Sequence, residues 1–421
     1  MANVIKLSNG ITVVTEPLPF FRTASAGIYV NAGSAFENKS NQGISHLFEH
    51  MAFKGTATRT AAEIADETVR LGDDINAYTS KEFTVFYGTT LGSMLKRMLS
   101  LFADMLQNSV FDLQELEKEK QIVSEEIAMY EDSPEDIVHD RIQESVFKDH
   151  PLGYIISGDE KTVRAVSRED LLTFKDTFYT GENIIISVAG NFPEDIVEFI
   201  ENEFGGIKRG SSNLGLLTAP VYTRSVINVE KNIDLYHINL AIPSICSNSP
   251  EQYAAAVFHS AFGGSNNSVL FRTIREELGL AYSVYSYNST FKTAGLTQID
   301  VTVDGKDAVK TVDEIVKIAE NIKRNGFDPG QVGYCREQAV IELVMGSESA
   351  GDRMSLNARQ LLAYGKLIDI DEQARLLEAV TLEDIGAFAR KYLDIPKLSV
   401  CVVGKRAKRI ANEIRSGILT T

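Results

Sequence analysis

One segment of this 421-residue chain recurs at an offset of 214 positions. Residues 166–170 read Val-Ser-Arg-Glu-Asp, and residues 380–384 read Val-Thr-Leu-Glu-Asp. In each copy a Ser or Thr followed three residues later by an acid predicts the capped start of an amphipathic helix. An apolar strand ended by a glycine follows in both copies, at residues 184–189 and 398–403. Because the period is long and only two copies exist, the repeat predicts two domains of the same fold.

A linker is predicted between the two domains. Residues 205–213 read Gly-Gly-Ile-Lys-Arg-Gly-Ser-Ser-Asn, a composition typical of a flexible connection. We therefore predict an N-terminal domain over residues 1–205, a linker over 206–220 and a C-terminal domain over 221–421. Strand-like and helix-like stretches are mixed within each half without strict alternation. This pattern indicates the α+β class, with helices packed on one face of a mainly antiparallel sheet in each domain.

Charge and apolar content exclude several classes of protein. Asp and Glu (58) outnumber Lys and Arg (42), and the resulting net charge of −16 disfavours binding to the phosphate backbone of nucleic acids. No apolar run approaches the roughly 18 residues of a membrane-spanning helix. The three cysteines are scattered, and the N-terminal residues lack the pattern of a signal or transit peptide. These features predict a cytoplasmic protein without nucleic-acid or membrane partners.

Two of the six histidines lie in one short apolar segment, residues 43–53. On a helix each residue turns by roughly 100°, so His46, Glu49 and His50 project from one arc. The rest of the segment is apolar, and we expect a buried helix whose two imidazoles need a compensating partner. A divalent metal fits, since neutral imidazoles four residues apart can both bind one Zn²⁺. The Glu49 carboxylate is then free to accept a proton from water that the metal activates.

A second predicted helix, at residues 112–130, offers a third ligand. Its apolar arc contains Leu116, Ile122, Val123, Ile127, Met129 and Tyr130. Glu119 and Glu126 fall inside this arc, whereas Glu117 and Glu125 point toward solvent. Acids on a buried stripe are unusual. We therefore predict that Glu126 is the third zinc ligand, and that Glu119 is either a carboxylate that supports a ligand or an alternative ligand.

The run His46-Leu47-Phe48-Glu49-His50, followed by Glu126, resembles the inverted zinc motif HxxEH…E of the M16, or pitrilysin-like, metallopeptidases. Glu126 lies 76 positions after His50, where the family has its third ligand, and Glu119 matches the family's second acid in that helix. The chain length is similar to that of the half-size, processing-peptidase-like subunits of the family. The resemblance implies the fold shared by M16 peptidases and LuxS-like metallohydrolases, with one Zn²⁺ per subunit.

The resemblance extends into the second half. Residues 270–283 are similar to the family's Arg/Tyr segment, which implies that Arg275 and Tyr282 act on the scissile peptide. A guanidinium and a phenol there would stabilise a developing oxyanion. Larger relatives carry four such domains on one chain, so the resemblance implies a homodimer here, in which Arg275 and Tyr282 act in trans.

A short polar stretch resembles the family's substrate-binding edge strand. The sequence Asp-Ile-Asn-Ala-Tyr-Thr at residues 74–79 precedes a predicted hairpin turn. The resemblance implies that Asn76, Ala77 and Tyr78 bind the peptide substrate by backbone pairing. A plain hairpin without a substrate is the alternative that the residues alone leave open.

These features together predict zinc-dependent hydrolysis of peptides or unfolded protein segments, with Glu49 activating the attacking water inside a chamber formed by a dimer. Two alternatives stay open. The same fold is a non-catalytic scaffold in relatives that have lost the zinc motif, and a peptide-binding subunit would leave the chemistry to a different partner. The second half of this chain has only His259 near the position equivalent to the zinc motif, which predicts that it is a non-catalytic copy.

Overall fold

The computed structural model describes residues 2–417 of the chain. Contacts divide these residues into two units, each with its own sheet. Unit 1 contains the described residues up to 129, together with residues 154–218 and 346–367. Unit 2 contains residues 130–153 and 219–345, together with the described residues from 368 onward. Each unit is therefore assembled from separated segments of the sequence.

The sheet of unit 1 comes from the first half of the sequence. Its strands are β1 (Asn3–Lys6), β2 (Thr12–Pro17), β3 (Thr23–Val30), β4 (Ile75–Thr79), β5 (Thr84–Leu91) and β6 (Ile184–Gly190). They lie in the order β1-β2-β6-β3-β5-β4. The pair β2–β6 is parallel and the other neighbouring pairs are antiparallel. A mainly antiparallel sheet is thus confirmed, and β4 lies at its edge.

The sheet of unit 2 has a related plan. Its strands are β7 (Val226–Glu230), β8 (Leu235–Pro243), β9 (Ala281–Thr290), β10 (Gly295–Asp304) and β11 (Ser399–Gly404). They lie in the order β7-β11-β8-β10-β9, with β7–β11 as the parallel pair. The two repeated strands, β6 and β11, therefore occupy equivalent places, each parallel to the neighbour on one side and antiparallel to the neighbour on the other.

Helices cover both sheets. The first half of the sequence forms α1 (Ile44–Ala52), α2 (Ala61–Arg70), α3 (Leu95–Asn108), α4 (Leu113–Asp132), α5 (Pro134–Val146), α6 (Glu160–Ala165), α7 (Arg168–Phe178) and α8 (Ile196–Phe204). The second half forms α9 (Gln252–His259), α10 (Ala308–Asn325), α11 (Pro329–Met345), α12 (Ala350–Tyr364), α13 (Ile370–Glu378), α14 (Leu382–Tyr392) and α15 (Ala407–Gly417). Wider π turns form Ser260–Gly264 and Phe271–Glu277, and short 3₁₀ turns connect other elements.

The repeated helix start has the predicted chemistry in both copies. Ser167 accepts a hydrogen bond from the backbone N–H of Asp170, whose side chain bonds back to the Ser167 backbone at the start of α7. Thr381 and Asp384 form the same reciprocal pair at the start of α14. The α+β class with two related units is confirmed by this repetition and by the matching sheets.

Helix α12 belongs to unit 1 although it comes from the second half of the sequence. It packs mainly on β3 and β6 and also contacts β2, where Asn357 Nδ2 donates to Glu16 Oε2 at 2.7 Å and Arg353 pairs with the same buried carboxylate. Ser187 Oγ also donates to the backbone oxygen of Met354 at 2.7 Å. This helix covers the face of the sheet opposite to α1 and α3, which the prediction of helices on one face did not include.

Helix α5 belongs to unit 2 although it comes from the first half, and it packs on β8 and β11. In unit 1, the packing of α12 explains why the central strands of the sheet are apolar on both faces. The predicted sequence ranges 1–205, 206–220 and 221–421 stay a prediction about the extent of the repeat.

Within residues 2–417, no helix combines the length and the apolar composition that crossing a membrane requires.

Candidate active site

Helix α1 starts at a glycine and a buried carboxylate. Gly43 adopts a φ of 87°, and a Cβ there would approach the backbone oxygen of Ser157 to 2.5 Å, so the position requires glycine. Glu37 accepts hydrogen bonds from the backbone N–H groups of Gly43 and Ser45, both at 2.9 Å. Burial raises the pKa of Glu37 to about 7, and these hydrogen bonds oppose the rise. Glu37 thereby fixes the first turn of the helix that carries the predicted motif.

The two sides of α1 differ as the sequence predicts. Leu47, Phe48 and Met51 are buried in the core of unit 1. The His46, Glu49 and His50 side chains leave the core and are only partly exposed; the two imidazoles keep 15% and 18% exposure. Burial on one side and three polar groups on the other is what a helical period of 3.6 residues produces from this sequence.

Helix α4 brings Glu126 to the two imidazoles. Asp112 caps this helix by accepting from the backbone N–H groups of Gln114 and Glu115. Glu126 Oε2 lies 3.8 Å from His46 Nε2 and 3.5 Å from His50 Nε2. Among residues 2–417 these three form the one group of His, Cys, Asp or Glu whose ligand atoms could surround a metal ion, all within 4.8 Å of one another.

The donor set fits Zn²⁺. Two nitrogens and one carboxylate oxygen are typical zinc ligands, and ligand atoms about 2.0–2.2 Å from a tetrahedral zinc lie about 3.3–3.6 Å apart. Burial lowers the pKa of His46 to about 4, so its imidazole is neutral, as a metal ligand must be. The buried Nδ1 of His46 has no hydrogen-bond partner among residues 2–417. The observed spacings are close to those of a zinc site, and the structure brings together all three predicted ligands.

Glu119 supports His50 from behind. Its Oε2 lies 3.1 Å from His50 Nδ1, and its side chain is only 3% exposed. Burial works to raise the pKa of Glu119, but the contacts with His50 and Lys54 outweigh it and leave that pKa lowered. An ionised Glu119 accepts a hydrogen bond from the Nδ1–H group of His50, and Nε2 of the same ring is left to face Glu126. Of the two roles predicted for Glu119, the geometry therefore favours the supporting carboxylate.

Glu49 stands beside the three candidate ligands without belonging to them. Its Oε2 accepts a hydrogen bond from Thr79 Oγ1 at 2.5 Å. Burial raises the pKa of Glu49, and the Thr79 hydrogen bond partly offsets that rise. A cavity of about 420 Å³ adjoins the site, with Glu49, His50, Phe53 and Asn76 among its walls. A partly buried carboxylate that lines a cavity and has a raised pKa is suited to proton transfer.

Strand β4 passes close to this cavity. It pairs with β5 on one side and is the last strand in the sheet order, so its other backbone edge has no strand neighbour among residues 2–417. Asn76 is exposed, whereas Ala77 and Tyr78 are partly buried. The structure therefore places the predicted substrate-binding residues on a sheet edge, in the same unit as the metal ligands.

Arg275 and Tyr282 meet in unit 2. Arg275 lies in the π-helical turn, and its Cζ is 5.7 Å from the centre of the Tyr282 ring and 5.0 Å from that of Phe271. Tyr282 follows the start of β9 and is 72% exposed. Gly279, with a φ of 58°, makes the turn between them. The predicted pair thus forms a stacked cation and phenol at a helix–strand junction.

The prediction that the whole apolar arc of α4 is buried is partly wrong. Ile122, Met129 and Tyr130 are exposed, and Met129 reaches 59%.

The sequence did not predict the contacts that Glu37, Lys54 and Thr79 make at the site. Only Lys54 had a local signal, because it follows His50 by four residues. Thr79 and Glu37 reach the site through contacts between elements that helical periodicity does not encode.

Comparison with known proteins finds family models and relatives that match most of this chain. The family model described as "Insulinase (Peptidase family M16)" matches residues 12–160, and that described as "Peptidase M16 inactive domain" matches residues 165–339. An uncharacterized zinc protease of Bacillus subtilis (strain 168), YmxG, is 35% identical over 91% of this chain and 93% of its own length. An uncharacterized zinc protease of Rickettsia felis (strain ATCC VR-1525 / URRWXCal2) is 34% identical over 92% of this chain and 94% of its own.

A solved structure shares the fold. A protease from Helicobacter pylori superposes with a TM-score of 0.88 at 20% sequence identity, covering 96% of this chain and 99% of its own. The two family models match successive parts of the chain, and the relatives match it over nearly their whole length. The chain therefore belongs to peptidase family M16, as a half-size member with an M16 domain followed by an M16 inactive domain.

Proposed function

We propose that this protein is a zinc-dependent endopeptidase that hydrolyses peptides or unfolded protein segments, with one Zn²⁺ per subunit. The observation that carries the proposal is the convergence of His46, His50 and Glu126 beside Glu49, in a chain of peptidase family M16. Its relatives named zinc proteases support the choice of metal.

The roles of the residues follow from their positions. His46, His50 and Glu126 would hold the metal. A bound Zn²⁺ polarises a carbonyl group and makes water a usable nucleophile at neutral pH. Glu49 takes the proton of the attacking water and returns it to the leaving amine, a task for which a carboxylate of raised pKa is suited. Backbone pairing along Asn76, Ala77 and Tyr78 would hold the peptide as an added strand.

The Thr79 hydroxyl lowers the pKa of the proposed base, Glu49, through a hydrogen bond. Replacing Thr79 by Val removes the hydrogen bond that lowers the pKa of Glu49, so this pKa rises further. Because Glu49 acts in its ionised form, the acidic limb of the kcat/KM profile is expected to move to higher pH. Rates measured between pH 5 and 9 check this, with Thr79→Ser as the control that keeps the hydroxyl. An unchanged acidic limb in Thr79→Val would contradict the role of Thr79.

We further propose a homodimer in which Arg275 and Tyr282 of one subunit complete the site of the other. The support is the family resemblance and the exposed, stacked pair in unit 2. Co-expression of differently tagged Glu49→Gln and Tyr282→Phe subunits tests it. If the pair acts in trans, the purified heterodimer regains activity that both homodimers lack. If the heterodimer is as inactive as the two homodimers, the trans arrangement is wrong.

Peptide cleavage by the chain expressed alone tests the function as a whole. We expect cleavage of an unstructured peptide library that a chelator stops and added zinc restores. If the chain cleaves no peptide and the purified protein holds less than one zinc per chain, a non-catalytic scaffold is favoured. Zinc binding without cleavage would favour a peptide-binding subunit that depends on a partner. A cytoplasmic location stays a prediction.

A further inference from the structure

Lys54 lies immediately behind the metal ligands. It follows His50 by four residues, just past the end of α1, and its backbone N–H donates to the Met51 oxygen at 3.1 Å. Its Nζ is 2.8 Å from Glu119 Oε1, while the other oxygen of the same carboxylate is 3.1 Å from His50 Nδ1. The Glu119 carboxylate is thus shared, one oxygen to Lys54 and one to His50.

This ion pair differs from the surface pairs elsewhere on α4. Lys118 pairs with Glu115 one turn away, and the Lys118 side chain is 64% exposed. Such exposed ion pairs contribute little to the stability of the fold. Glu119 in contrast is 3% exposed and Lys54 30%. A carboxylate that is removed from water needs an opposite charge nearby and hydrogen-bond donors for its oxygens. Lys54 supplies a full positive charge beside Glu119.

The two imidazoles of the site are held differently. His50 has Glu119 behind its ring, whereas the buried Nδ1 of His46 has no hydrogen-bond partner in the described part of the chain. Without Lys54, Glu119 could rotate away from His50, and both rings would then lack a fixed partner. Through the Glu119 carboxylate, Lys54 therefore affects the ring orientation of one metal ligand.

We propose that Lys54 is a positioning residue of the metal centre, which fixes the Glu119 carboxylate so that this carboxylate holds the His50 ring with Nε2 toward the metal. The inference rests on the proposed zinc-dependent function. Lys54 also borders the cavity beside Glu49, so direct contact with the substrate is the competing role. A positioning role changes the affinity for zinc, whereas a substrate contact changes KM and leaves zinc binding alone.

Zinc affinity of the purified full chain tests this directly, by competition with a chromogenic chelator. Lys54→Met, which keeps the aliphatic stem, is expected to bind zinc about 10- to 100-fold more weakly, the range typical for residues that support a ligand. Lys54→Arg should recover most of the loss. Lys118→Met is the matched control on α4 and should bind zinc like the unaltered chain.

The decisive experiment asks whether the effects of replacing Lys54 and Glu119 on zinc affinity are additive. Because Lys54 acts through Glu119, the double variant Lys54→Met/Glu119→Gln should bind zinc no more weakly than Glu119→Gln alone. Additive losses, or zinc affinity unchanged in Lys54→Met, would overturn the inference, as would a change confined to KM. Melting curves monitor folding, and Lys54→Gln gives the same measurement if the Met variant is unstable. Failure of the unaltered chain to bind zinc would instead overturn the proposed function itself.

Discussion

Replacing Glu49 by Gln is expected to abolish peptide hydrolysis while zinc stays bound. The amide keeps the shape of the side chain and still accepts the Thr79 hydrogen bond, but it cannot take up a proton. Loss of a positioned acid–base group lowers rates by about 10²- to 10⁴-fold. Measurements of kcat/KM on an unstructured peptide, with zinc content determined on the same samples, check both parts of the expectation.

Glu117→Gln serves as the control for this experiment. Glu117 lies on α4 with its side chain 72% exposed and paired with Lys120, so the same chemical change there should leave activity and zinc content unchanged. Full peptidase activity in Glu49→Gln would show that the base is a different group. Loss of zinc from this variant would show that Glu49 holds the metal and that the assignment of ligands is wrong.

Replacing Glu126 by Gln is expected to remove the metal and the activity together. Glu126 Oε2 is the oxygen that faces both imidazoles, at 3.8 Å and 3.5 Å, and a neutral amide is a poor substitute for a carboxylate on Zn²⁺. The loss of zinc affinity should exceed the roughly 100-fold that removal of a supporting residue produces. A chelator competition assay measures it, and excess zinc should restore activity only in part.

The neighbouring residue provides the matched control. Glu125 is exposed and accepts a hydrogen bond from Gln121, so Glu125→Gln should bind zinc normally. Equal zinc affinity in the variants at positions 125 and 126 would mean that the third ligand lies elsewhere. A loss at position 125 alone would mean that the face assigned to α4 is wrong.

Local periodicity predicted the parts of the site that lie on regular helices. The spacing of His46, Glu49 and His50 places them on one side of α1, where the structure has them. Projection of α4 separated Glu119 and Glu126 from the exposed Glu117 and Glu125. Such predictions succeed because the position of a side chain around a helix depends only on its place in the sequence.

The remaining features depend on contacts between elements. A helical projection cannot distinguish an apolar stripe that is packed in a core from one that lies open, and therefore Ile122 and Met129 were predicted as buried although they are exposed. Thr79 bonds Glu49 from a hairpin 30 residues away. The exchange of α5 and α12 between the units joins distant segments, which a single linker position in the sequence does not reveal.

The central claim is that His46, His50 and Glu126 hold one zinc ion, and anomalous diffraction at the zinc absorption edge tests it most directly. Crystals grown from zinc-loaded protein should show one peak per chain, within about 2.3 Å of Nε2 of each histidine and of a Glu126 carboxylate oxygen. A fully occupied peak elsewhere, or a peak on the two histidines with Glu126 well out of reach, would contradict the account.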